Sequence, residues 1–100
     1  MQSHPFRRMS LTNEAVLSRA AAAISVIEKM SQRELLATPT PDFLAEYNRT
    51  RSAFVASNPA LSEAAPPEVL DQCRYVELLT YYTQLQGLLR SLWLQTRRSA

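Results

Sequence analysis

Apolar residues recur at intervals of three and four through most of this chain, and proline-bearing stretches interrupt the pattern twice. The spacing predicts amphipathic helices. Val16, Leu17, Ala20, Ala23, Ile24, Ile27 and Met30 make the first stripe, and Leu35 extends it. Thr12 or Asn13 caps its start, with Glu14 in the electropositive first turn. Thr38-Pro39-Thr40-Pro41 cannot continue a helix, so the first helix is expected over 13–37. Thr40 as N-cap, Pro41 at the first helical position and Asp42 then open a second helix, expected over 41–57. Leu44, Tyr47, Phe54 and Val55 form its apolar face beside Phe43, and Glu46, Asn48, Arg49 and Arg51 its polar side. Asn58-Pro59 ends it. Pro66-Pro67, followed by Glu68 and Asp71, predicts the start of a third helix running over 67–97, the longest of the three.

The third stripe carries a surplus. Tyr75, Leu78, Tyr82, Leu85, Leu89 and Leu92 form a heptad-like seam, while Leu79, Tyr81, Leu88, Trp93 and Leu94 lie outside it. A surface helix of a small monomer needs one apolar stripe. The expectation is an all-α fold, an antiparallel bundle of three principal helices whose third helix serves in oligomerisation. Tyr75, Leu78, Tyr82, Leu85, Leu89, Leu92 and Trp93 are the expected partner or dimer interface. Gly87, inside this helix, is expected to mark a close crossing or a bend. In size and helix count the layout is similar in outline to small helical chaperones of bacterial secretion and flagellar systems, a likeness that assigns no residue a role.

Composition narrows the classes further. With 100 residues the chain makes one domain, expected over 12–100 behind a flexible tail at 1–11. A domain of this size is marginal alone, and self-association relieves that. A single glycine argues against hairpins and phosphate loops. Net charge is +2 and Lys29 is the sole lysine, short of a nucleic-acid binder's clustered patch. One cysteine allows no internal disulfide framework and fits a reducing, cytoplasmic setting. Arg7 and Arg8 precede no long apolar run, so no secretory leader is expected. Residues 78–96 have the length of a membrane span, but their Gln, Thr, Ser and Arg content makes a soluble interface the better reading.

Side chains for catalysis are few. Cys73 is the only thiol and His4 the only imidazole, far apart in sequence. Cys73 sits between Val69 and Val76 and reads as a small buried residue. No Glu-x-x-His occurs, and one His with one Cys makes no transition-metal set. Neither cofactor nor metal is expected. The acids fall in first helical turns or on polar faces, where capping and solubility explain them. The expected function is therefore a non-enzymatic protein–protein interaction module, an adaptor, assembly factor or small chaperone. Its expected partner is a second copy of itself, with a client protein beside that. The alternative is a small nucleic-acid-binding regulator using Arg49 and Arg51 on the second helix and Arg97 and Arg98 at the end of the third.

Overall fold

The computed structural model describes residues 11–99 and is all-helical. The tail expected at 1–11 lies outside the described residues except Leu11, which already belongs to a helix. The helices are α1 (Leu11–Glu28), α2 (Gln32–Leu35), α3 (Pro41–Ser57) and α4 (Tyr75–Ser99), with a 3₁₀ turn at Pro59–Leu61. Three are long, and α4 is the longest at 25 residues, about 37 Å at 1.5 Å per residue. Both α3 boundaries match the expected 41–57, with the Thr40 hydroxyl accepting from the Phe43 N–H at 3.2 Å.

Four boundaries depart from expectation. α1 begins at Leu11, so Thr12 and Asn13, expected to cap it, lie inside the helix, and α4 ends at Ser99 rather than at 97. The larger departures are the end of α1 and the start of α4. The first helix does not run to residue 37. It tightens at its end, with Met30 N–H donating to the Ile27 carbonyl at 3.0 Å. Ser31 then turns extended and starts α2 through a reciprocal cap. Its hydroxyl accepts from the Glu34 N–H at 3.2 Å, and its own N–H donates to the Glu34 carboxylate at 2.8 Å. These bonds hold the Glu34 carboxyl below its ordinary value. The third helix begins at Tyr75, not at Pro67. Residues 66–74 stay non-helical, and Gln72 adopts a left-handed φ of 55°. The Glu77 carboxylate caps the true start by accepting from the Arg74 N–H at 2.8 Å.

That late start changes the topology. Thr40 and Phe43, at the start of α3, meet Tyr75 at the start of α4. One turn on, Tyr47 meets Tyr81 and Tyr82. Thus α3 and α4 run in the same sense, and residues 58–74 carry the chain back between them. Short connectors would have made successive helices antiparallel; the proline-stiffened return prevents it here. α1 runs counter to both. Its first turn is tied to the end of α3 by a reciprocal amide pair, Asn13 with Asn58, at 2.9 and 3.2 Å. Beyond its last turn, the Ala37 carbonyl accepts from the Tyr75 N–H at 3.1 Å.

The core collects one stripe from each long helix. Val16, Ala20 and Ile27 come from α1, Tyr47, Thr50 and Phe54 from α3, and Leu78, Tyr82, Leu85 and Leu89 from α4. Val69 and Cys73 close it from the return segment. Full burial of a large aliphatic or aromatic side chain contributes about 1.5–3 kcal/mol. Ala20, wholly buried on α1, has neighbours packed over it. Gly87 has none: it is exposed, and a Cβ there would meet nothing within 4 Å. The close crossing expected at that glycine is absent because its face of α4 looks outward.

Candidate interaction surface

The α4 seam splits into two parts. Leu78, Tyr82, Leu85 and Leu89 are buried within the chain, packed in a core shared with α1 and α3. Leu78, Leu85 and Leu89 present no surface in this conformation, and Tyr82 shows only an edge. Tyr75 is half-buried; its hydroxyl accepts from the Thr40 N–H at 3.2 Å, and its ring meets Phe43 edge-on at 5.2 Å. Its role is to pin the start of α4 to the start of α3. Past Leu89 the helix emerges. Leu92 is half-buried, Trp93 is 39% exposed and Leu94 is 50% exposed.

A second apolar surface lies between α1 and α3. Ala22, Ala23 and Val26 line one side, Phe43 the other, and Tyr82 reaches in from α4. Arg19 and Glu46 form its polar edge, with Arg19 Nε 3.7 Å from a Glu46 oxygen. The second Glu46 oxygen holds Arg49 at 3.1 Å. Burial, with the Glu46 carboxylate adding to it, pushes the Tyr82 phenol up to about 12. The groove encloses 210 Å³. Small-molecule sites usually hold about 300–1,000 Å³, so this one fits a side chain or two rather than a metabolite.

The arginines expected on the alternative reading are engaged within the chain where they are described. Arg49 pairs with Glu46, and Arg51 Nε donates to the Pro66 carbonyl at 2.6 Å. Arg97 and Arg98 lie in the last turn of α4, and their side chains fall outside the described residues. Cys73 is buried, its thiol donating weakly to the Arg74 carbonyl at 3.4 Å. Burial pushes that thiol up, with Glu77 adding, which is the reverse of an activated nucleophile. His4 lies outside the described residues. Among the described residues no three His, Cys, Asp or Glu side chains gather to hold a metal ion. Nor is any helix there long and apolar enough to cross a membrane.

The sequence reading missed one constellation. Tyr47, Asn48 and Arg51 on α3 all bind the main chain of residues 66–69. Asn48 and Arg51 had read as a solvated face. The available signal was the Pro-Pro pair, which favours an extended backbone that needs an external partner for its carbonyls. No protein-family model, curated protein or solved structure matches this chain.

Proposed function

We propose that this chain is a non-enzymatic protein–protein interaction module that associates through the emergent end of α4, first with a second copy of itself. The observation that carries the proposal is the adjacency of exposed Trp93 and Leu94 to half-buried Leu92, just past the last fully buried position of the helix. Tryptophan offers large apolar area with one polar handle and is enriched among the residues that dominate binding energy. An adaptor, assembly factor or small chaperone needs such a helix face and no catalytic group. The lone cysteine, unable to close a disulfide within its own chain, supports a cytoplasmic setting.

Light scattering after size exclusion, over a dilution series, tests this. The 11.3 kDa wild-type chain is expected to run above its monomer mass and to fall toward it on dilution. Leu94→Glu is expected to be monomeric throughout with an unchanged far-UV circular dichroism spectrum. Emission from Trp93, the sole tryptophan, follows the same equilibrium. A wild-type chain that stays monomeric at every concentration, with constant emission, overturns self-association.

A further inference from the structure

Tyr82 fixes the level of α4 against both neighbouring helices. It shares the groove with Ala22 and Ala23 of α1, and its ring meets that of Tyr47 on α3 edge-on at 5.3 Å. Trp93 stands eleven positions further along α4. α1 runs counter to α4, so eleven positions back from Ala22 and Ala23 are Leu11 and Thr12, its first residues. α3 runs with α4, so eleven positions on from Tyr47 is Asn58, its C-cap. The Asn13–Asn58 amide pair joins those two ends independently, at 2.9 and 3.2 Å. Trp93, 39% exposed, and Leu94, 50% exposed, therefore stand where both neighbours run out. The chain enters α1 at that same pole.

We propose that residues 1–10 of this chain lie across Trp93 and Leu94 as a cover, with Phe6 against the indole. Place and reach support this. The segment is joined to the body of the protein at Leu11, level with the indole. An extended chain spans at most about 3.3–3.6 Å per residue, so Phe6, five positions before Leu11, commands a radius of about 17 Å. Composition supports it as well. Met1, Pro5, Phe6 and Met9 are apolar, and residues 1–10 contain no acid. Aromatic pairs and methionine–aromatic contacts both suit an indole.

The tether decides between occupants. A segment joined beside its own patch acts at an effective concentration on the order of millimolar, about a thousandfold above a second copy present at micromolar concentration. The cover is nonetheless displaceable. Arg7 and Arg8 add positive charge to a helix end that already carries Arg97 and Arg98, so apolar contact holds the segment against like charge. On the self-association proposed above, on which this step rests, a second copy reaches Trp93 only by displacing residues 1–10.

The sample is the full chain, diluted until its mass by light scattering is that of a monomer. Trp93 is the sole tryptophan, so acrylamide quenching reads its cover alone. Phe6→Ser is expected to steepen the quenching and shift the emission to the red with an unchanged helical spectrum, and Gln2→Ser to change neither. Equal quenching of the Phe6→Ser chain and the wild type overturns the proposal. A second measurement needs no variant. In a mixture of isotope-labelled and unlabelled wild-type chains, nuclear Overhauser contacts between the Phe6 ring and the Trp93 indole are expected within one chain. Their absence, or their presence only between chains, overturns the proposal. Association is read separately by mass over the dilution series. With the cover weakened, the Phe6→Ser chain is expected to reach the same degree of association at about tenfold lower concentration. A Phe6→Ser chain that quenches more steeply yet stays monomeric throughout overturns the self-association and supports the cover.

Discussion

Replacing Leu85 by alanine measures whether the α4 seam is closed by this chain or by another. The side chain is 0% exposed and belongs to the core shared with α1 and α3. The change removes three carbons, a transfer loss of about 2.4 kcal/mol at about 0.8 kcal/mol each. The cavity adds to this, and buried leucine truncations span about 2–5 kcal/mol. We therefore expect a loss of about 3 kcal/mol, against the total of about 5–15 kcal/mol typical of a domain. At about 2.1 cal/mol/K per residue, 100 residues give an unfolding entropy near 0.21 kcal/mol/K, so the melting temperature should fall by about 14 °C. Urea titrations followed by circular dichroism, at two chain concentrations, provide the assay. In a Leu94→Glu background, which removes the proposed association, the midpoint should not depend on concentration, since the packing of the core is intramolecular. A loss below about 1 kcal/mol with an unchanged m-value would refute the burial argument. A seam formed between chains would instead show a midpoint that still rises steeply with concentration in that background.

Two further outcomes are expected. Gly87→Ala should stabilise the chain by about 0.5–1 kcal/mol in the same titrations, because it improves helix propensity where open space awaits the new methyl; a loss of stability would mean that this face is covered in solution. Tyr82 sets an alkaline limit. Its phenol is raised from 10.0 to about 12, so folding favours the protonated form, and its contribution is complete below pH 10 and lost as pH rises through about 12. At about pH 11 Tyr82 should still be about nine-tenths protonated, and its remaining phenolate absorbance should appear together with loss of the helical spectrum; ionisation of every tyrosine near pH 10 with the helices intact would refute it.

What the sequence disclosed depended on how local the determining physics was. Thr40-Pro41-Asp42 carries its cap, its fixed φ and its charge within three residues, and α3 begins where they say. The break after α1 was equally local, since Ser31 and Glu34 form their capping box from adjacent residues. It was obscured because Leu35 continued the apolar stripe across it. The start of α4 was not local at all. Pro66-Pro67 suits the first turn of a helix and an extended segment alike, and what decides between them is three side chains on α3, about 20 residues earlier in the chain. The seam of α4 was legible as a stripe but not in its destination. Periodicity shows that Leu78, Tyr82, Leu85 and Leu89 need a neighbour, and it is silent on whether that neighbour is α1 or another molecule. Only the end of the helix, from Leu92 to Leu94, retains the exposure that the whole seam was expected to have.

The shared direction of α3 and α4 has a consequence for the chain as it leaves the ribosome. α1 cannot finish burying Val16, Ala20 and Ile27 until α4 arrives, because α3 alone covers only part of its stripe. At about 5–20 residues per second, the interval between Glu28 and Leu89 takes on the order of several seconds. Through that window the nascent chain exposes an alanine-rich apolar helix that α3 covers only in part. Its stripe is fully covered only once α4 has emerged, and a factor that binds the nascent chain before then meets α1 rather than α4.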